Sequence, residues 1–245
     1  MNLLLIEPQE MTGNEVWLTD HRARHLIKVL KVTADTIIRA GVVNDKLGFA
    51  KVTAIEGEKV RLQVHLERKP TIGLHVELIL ALPRPVMLQR ILKQATVLGV
   101  RHFHLIRTRR VEKSFFQSPV LLPEKIHALL KEGMEQAVDT WLPGVTLHRR
   151  FKPFIEDVLP TLEGRGLIAH PAAGRTFAEA PAPDSLQRRI LLAIGPEGGW
   201  SDYEYQHFCD AGFFGLTMGA RILHVDTAVV TALAQLWLLH DLRNR

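Results

Sequence analysis

The apolar positions of this chain follow two patterns in succession. In the first third they alternate over short runs. Thr36–Arg39, Phe49–Ile55 and Val60–Leu66 set apolar and polar side chains by turns, with Gly and Asp between the runs. Period-two alternation of this length predicts half-buried β-strands. One helix precedes them, over Asp20–Lys31. Asp20 can cap its free amides, and Leu26, Val29 and Leu30 make one apolar side. Arg22, Arg24, Lys28 and Lys31 fall on the remaining surface. Lys69-Pro-Thr-Ile-Gly73 reads as a linker.

Beyond Gly73 the pattern changes. His75–Leu82 is a near-continuous apolar run, as expected of a strand buried on both faces. Met87–Leu98 has helical spacing and stops at Gly99, a natural C-cap. Val100–Ile106, Gly166–His170, Arg189–Ile194 and Gly212–Met218 predict further strands. Leu122–Val138, Ser201–Cys209 and Asp226–His240 predict helices, and Ala178–Asp184 is a Pro/Ala loop. Strands alternating with helices imply an α/β fold with a mainly parallel sheet. The expected organisation is therefore a small β-rich domain over residues 1–72 and an α/β domain over 73–245. The last helix is apolar on nearly every side, so it is buried in a core or against another subunit.

Charge sharpens this division. The chain has 245 residues, with 31 Lys and Arg against 26 Asp and Glu, a formal net charge of +5. Arg84–Lys113 alone holds eight basic residues against Glu112, or +7, so the remainder sums to −2. A basic stretch on a near-neutral body suits a polyanion-binding face. The single cysteine, Cys209, excludes an internal disulfide and a thiolate metal cluster. The first apolar run ends at Glu7 with no basic residue before it, and no run approaches the ~20 residues of a membrane span. A cytoplasmic protein with no membrane association is expected. The twelve histidines form no paired ligand motif with a helical carboxylate, so no metal is expected.

The candidate chemistry lies in two segments. Ile194-Gly-Pro-Glu-Gly-Gly199 joins a strand to a helix whose start carries the Ser201-x-x-Glu204 capping box. Glycines at that junction let a ligand approach the backbone at the carboxyl edge of a sheet. The loop has neither the dinucleotide fingerprint nor the Gly-Lys-Ser/Thr of a phosphate cradle. Glu197 would repel a phosphate, which favours a ligand with a neutral or positive centre. In the second segment, Met218 and Gly219 end a strand, Arg221-Ile-Leu223 follows, and Asp226 or Thr227 caps the last helix.

Together these segments resemble the bacterial small-subunit ribosomal RNA uracil-N3 methyltransferases, a family of the SPOUT superfamily. The resemblance extends to His25-Leu-Ile-Lys-Val-Leu-Lys31, Ala95-Thr-Val-Leu-Gly-Val100, Arg110 and Glu132-Gly-Met-Glu-Gln136. It implies a PUA-like, RNA-binding β-barrel followed by an α/β domain whose end forms a deep trefoil knot. It also implies a homodimer acting on 16S ribosomal RNA or the 30S subunit, with S-adenosylmethionine as cofactor. The cofactor would lie against His170, Pro171, Ile194, Gly195, Pro196, Glu197, Gly198, Gly199, Met218, Gly219, Ile222, Leu223 and Thr227. Arg221 would stabilise the uracil anion, and Asp226 or His224 would take the N3 proton. Arg22, Arg24, Lys28, Lys31, Arg84, Arg90 and Arg110 would hold RNA, and His25 either joins them or packs in the barrel. The chain departs from the family's pattern at Met87, Gln94, Val97, Asp139, His224 and Asp226, mostly by losing positive charge. Two alternatives stand beside this reading: another ribosomal or transfer RNA nucleotide as target, and a non-catalytic RNA-binding assembly factor.

Overall fold

The alternating runs of the first third pair into one mixed sheet in a computed structural model that describes residues 2–70, 73–180 and 189–243. Its strands are β1 (Leu4–Ile6), β2 (Glu15–Leu18), β3 (Ile37–Val42), β4 (Leu47–Glu56) and β5 (Lys59–Arg68), in the order β1-β3-β4-β5-β2. β1 runs parallel to β3, and the other pairs are antiparallel. Helix α1 (His21–Lys28) starts at Asp20, whose carboxylate accepts the Arg22 N–H at 2.9 Å. The inward side chains of the strands, among them Val16, Leu18, Ala40, Val52, Leu62 and Val64, close one core with Ala23 and Leu26 of α1. β1 and β2 were not expected. β1 carries an unbroken apolar run because both its faces are covered. Leu4 and Ile6 join that core, while Leu3 and Leu5 meet Val43, Leu47 and Met134. The compact unit so formed comprises Met1–Thr71 and Met134–Leu142, so it recruits a segment that the expected division at residue 72 leaves elsewhere. Thr71 and Ile72 of the expected linker, and residues 181–184 of the expected Pro/Ala loop, lie outside the described residues.

Arg22 departs from its expected role. It is 5% exposed, with its guanidinium bonded to Glu10, to Asp20 and to the Leu5 carbonyl at 2.8 Å. Those anions raise its pKa against the opposing effect of burial. Arg22 therefore fastens α1 to the chain start and has no guanidinium face to offer a phosphate. Arg24, Lys28 and Lys31 are exposed as expected, and Lys28 pairs with Glu58 at 3.2 Å. His25 is half-buried.

The second unit comprises Ile72–Gly133 and Pro143–Arg245. Its elements are β6 (His75–Ala81), α2 (Pro85–Val97), β7 (Val100–Ile106), α3 (Pro123–Ala137), β8 (Gly144–His148), the short helix α4 (Phe151–Pro153), β9 (Arg165–Ala169), β10 (Arg189–Ile194), α5 (Asp202–Asp210), β11 (Phe214–Leu216) and α6 (Val225–Arg243). The six strands are all parallel, in the order β11-β9-β10-β6-β7-β8. Their carboxyl ends share one edge, which gathers the loops after β6, β7, β9, β10 and β11. α6 packs on α2, and Trp237 donates its indole N–H to the Leu98 carbonyl at 2.7 Å. Gly133 lets α3 approach α2: a Cβ there would lie 2.7 Å from the Lys93 carbonyl oxygen.

One face of this sheet carries a polar chain across four strands. Glu77 of β6 accepts from His104 of β7 at 3.1 Å and pairs with Arg189 of β10 at 3.2 Å. His104 in turn meets His148 of β8 at 3.2 Å, and His102 meets Thr146 at 2.9 Å. His75 lies 3.6 Å from Glu77. Burial alone would raise the Glu77 pKa. Hydrogen bonds from His104 and His75 and the charge of Arg189 instead hold it well below the carboxylate range. Burial, then the neighbouring His104 and His102, push His148 down to about 4. Among the described residues no three His, Cys, Asp or Glu side chains are arranged to hold a metal ion.

A neutral buried imidazole binds fewer protons than its unfolded counterpart, whose ordinary pKa is about 6.5. Stability from His148 is therefore lost as pH falls from about 6.5 towards 4. Stability from Glu77 is lost in the same direction, below its ordinary value of 4.5. Thermal unfolding across this range will show a falling Tm, and His148→Gln will make the fall shallower. An unchanged slope in that variant would contradict the assignment.

Candidate functional site

The loop after β10 is held by its neighbours at four points. Pro196 starts a tight turn closed by the Gly199 N–H on the Pro196 carbonyl at 2.8 Å. Gly199 has φ +72°, a conformation that costs an L side chain about 1–2 kcal/mol. Arg110, from the loop after β7, donates to the Gly198 and Trp200 carbonyls. Trp200 is buried, donates its indole N–H to Ala169 O at 3.2 Å, and lies under Gly195. Glu197 accepts the Arg84 N–H at 3.0 Å, where α2 begins. Its carboxylate thus complements the positive end of α2. One Glu197 oxygen is thus engaged by the start of α2, while the residue remains on the wall of the cleft described below.

The capping box of α5 does more than start that helix. Ser201 accepts the Glu204 N–H at 3.3 Å, and Glu204 accepts the Ser201 N–H at 2.9 Å. The other Glu204 oxygen accepts the Arg109 N–H at 2.6 Å. Glu204 is 2% exposed, so one buried carboxylate joins the loop after β10 to the loop after β7.

The segment after β11 forms the opposite wall. Thr217 donates its hydroxyl to the Gly219 carbonyl at 3.1 Å, and Gly219 has φ +111°. His170, after β9, donates its N–H to Leu216 O at 2.8 Å. Its Nδ1 accepts the Ala172 N–H at 3.2 Å, and burial lowers its pKa although Asp202 opposes this.

These walls enclose a cleft of about 260 Å³. His170, Pro171 and every residue from Ile194 to Gly199 line it, with Met218, Gly219, Arg221, Ile222 and Leu223. Trp200, Ala169, Thr217, Val225 and Ala228 also line it and were not foreseen. A bulky residue following a glycine loop was the available signal for Trp200. Three expected residues are not on the wall. His224 is exposed. Thr227 is exposed and donates its N–H to Asp226. Asp226 turns to Arg90 of α2, 3.5 Å away, with its side chain 17% exposed. Neither Asp226 nor Thr227 caps α6 as expected: the helix already opens at Val225, with the Ala228 N–H on the His224 carbonyl at 2.8 Å, so Asp226 lies inside the first turn and its carboxylate reaches α2 rather than the cleft.

Beside the cleft the carboxyl edge carries an arginine rim. Arg84 follows β6, Arg109 and Arg110 follow β7, and Arg149 and Arg150 follow β8; all five are exposed. Arg149 lies over the Phe116 ring at 5.6 Å. The last two were missed because β8 itself was missed.

A model of the RNA methyltransferase domain family matches residues 70–237. The ribosomal RNA small subunit methyltransferase E of Treponema pallidum (strain Nichols) is 32% identical over 241 residues, covering 96% of this chain and 90% of that one. The chain belongs to the RNA methyltransferase domain family. The corresponding methyltransferase of Synechocystis is 27% identical over 95% of this chain and 76% of its own length. The crystal structure of the Neisseria gonorrhoeae ribosomal RNA small subunit methyltransferase E bound to S-adenosyl methionine shares the fold. Its TM-score is 0.80 at 23% identity, and 98% of each chain is covered.

In this member of the RNA methyltransferase domain family, Glu204 is the tie most open to a direct test. Glu204→Ala strips buried N–H groups of Ser201 and Arg109 of their acceptor, which costs about 2 kcal/mol of unfolding free energy. Ser201→Ala removes the cap alone and costs about 1 kcal/mol. Urea denaturation measures both, and equal losses would argue against the Arg109 tie.

Proposed function

We propose that the chain transfers a methyl group from S-adenosylmethionine to N3 of one uridine in 16S ribosomal RNA of the small subunit. The observation that carries this reading is the meeting of the glycine loop, the Arg221-Ile-Leu223 segment and the arginine rim at one sheet edge. The cleft suits the cofactor. Gly195, Gly198, Gly199 and Gly219 leave main-chain groups open to a ligand. Ile194, Pro196, Met218, Leu223, Val225 and Ala228 supply an apolar wall, as cofactor clefts have. No lysine lines it. When bound, S-adenosylmethionine supplies an electrophilic methyl group.

The protein's part is positioning and charge stabilisation. The N3 proton must leave before the nitrogen attacks, and negative charge then spreads over the uracil oxygens. Arg221 lines the cleft, and its planar, multidentate guanidinium suits charge spread over the uracil oxygens. Asp226 is held by Arg90, and neither Asp226 nor His224 lines the cleft. Stabilising the anion is therefore the chain's own contribution: the N3 proton passes to solvent water, and N3 takes the methyl group with loss of the sulfur as a neutral thioether. Arg84, Arg109, Arg149 and Arg150 hold backbone phosphates beside the cleft, Arg110 being engaged by the glycine loop, and Arg24, Lys28 and Lys31 of the first unit add phosphate contacts. Affinity for RNA then falls steeply with salt.

A second copy of the chain belongs to this reading. Ile222 is 80% exposed, and Val86, Leu238 and Leu242 are 56–63% exposed. These apolar side chains of the cleft, α2 and α6 suit a homodimer contact. A knotted end of the second unit and a PUA-like barrel in the first complete the proposal. Action on ribosomal RNA places the chain in the cytoplasm under this reading; no described helix is long and apolar enough to cross a membrane.

Purified small-subunit ribosomal RNA from a strain lacking the gene, incubated with the protein and S-adenosylmethionine, will gain one 3-methyluridine by mass spectrometry. Methylation of another nucleotide would overturn the assigned base, and no methylation would overturn the enzyme. In the same assay Arg221→Ala will lower kcat about a hundredfold. Arg221→Lys will restore only part, because a point charge does not reproduce the planar guanidinium.

A further inference from the structure

The first unit has an outward sheet face that the cleft and the arginine rim leave unused. Strand alternation sends Val16, Leu18, Ala40, Ala50, Leu62 and Val64 inward. The intervening positions point the other way. Across this outer face, Arg39 stands opposite Phe49, Phe49 opposite His65, Lys51 opposite Gln63, and Trp17 opposite Arg61.

Two flat aromatic sites result. The Phe49 and His65 rings stack at 5.0 Å with their planes 25° apart. Trp17 is 42% exposed, and the Arg61 guanidinium lies over its ring at 5.9 Å. Arg61 is held in that position by Glu15. Trp and Phe are residues that folding usually buries. Here both stand on the polar side of a sheet whose core is already filled. Arg61 and His65 are four residues apart on β5, so the two sites are separated by about 14 Å along the strand. Gln63 and Lys51 lie between them with hydrogen-bonding groups, and Arg39 flanks the Phe49 site. Lys51 pairs with Asp35 at 2.7 Å, and Arg61 with Glu15, so the face keeps a net positive charge through Arg39.

This combination discriminates among ligands. A protein partner prefers an apolar centre depleted of charge, and here the aromatic sites are interleaved with Arg, Lys and Gln. Duplex RNA keeps its base faces stacked inside the helix. Unpaired nucleotides offer free π-faces to aromatic side chains and phosphates to cations. We infer that the outer face of β2–β5 is a stacking platform for unpaired nucleotides of the substrate RNA. Trp17 takes one base and the Phe49–His65 stack takes another, away from the nucleotide that is methylated. The inference rests on the RNA reading above and adds base stacking to the phosphate contacts it gives the first unit.

The test uses the full chain with three probes: a fluorescent twelve-residue oligouridine, protein-free small-subunit ribosomal RNA, and intact small subunits. Trp17→Ala and Phe49→Ala will each weaken oligouridine binding about tenfold. Each will raise KM for the RNA, with kcat and the affinity for S-adenosylmethionine unchanged. Trp17→Phe keeps an aromatic face and will retain most of the binding, which separates stacking from misfolding. The salt dependence of binding will stay as in the wild type, because stacking releases no counterions. Wild-type methylation with unaltered binding in both alanine variants would overturn this inference alone. A wild-type chain that binds no RNA would overturn it together with the proposed function. Weakened binding to intact subunits but not to protein-free RNA would assign the face to a ribosomal protein and overturn it too.

Discussion

The site depends on carboxylates that accept backbone N–H groups from neighbouring loops. A parallel sheet gathers its loops at one edge but leaves their backbone amides to be satisfied. Glu204, almost fully buried, takes one such amide from Arg109 and one from Ser201. Glu197 takes another from Arg84. Arg110 completes the frame from the other side by donating to the carbonyls of Gly198 and Trp200. The glycine loop is therefore fixed by side chains of opposite charge that engage main chain rather than each other. Such bonds are stronger than neutral ones and are directional, which suits a wall that must hold its shape.

The same economy governs the basic stretch. Its +7 charge is not one uniform patch. Arg90 turns to Asp226, and Lys93 pairs with Glu132 at 2.6 Å. Arg110 serves the loop. What remains exposed at the sheet edge is concentrated after β6 and β7, and Arg149 and Arg150 after β8 extend it. The face proposed for RNA is thus assembled from strand ends distant in sequence, next to a cleft whose lining is largely backbone and apolar.

Much of this was legible beforehand because local physics dictated it. Period-two runs became β3, β4 and β5, and the capping box marked the start of α5. The strand-glycine-helix junction and the segment after β11 came to line one cleft. What was not legible depended on tertiary partners. β1 looks like any apolar run until both its faces are covered. β8 is short and carries His148 and Thr146, whose partners lie on β7. Arg22 sits in a helix with other basic residues, and nothing nearby in sequence shows that Glu10 will bury it. Likewise the second duty of Glu197, holding the start of α2, was hidden because its partner amide lies 113 residues away.

The proposed function stands or falls with S-adenosylmethionine binding in this framed cleft. Isothermal titration of the full chain with S-adenosylmethionine tests it most directly, with Gly198→Val as the paired variant. A Cβ at Gly198 would lie 3.1 Å from Arg110 Cδ, so the branched side chain must push the loop against its latch. One site per wild-type chain is expected, with loss of most of the heat in the variant and its fold intact by circular dichroism. Equal binding by both proteins, or no binding by the wild type, would contradict it.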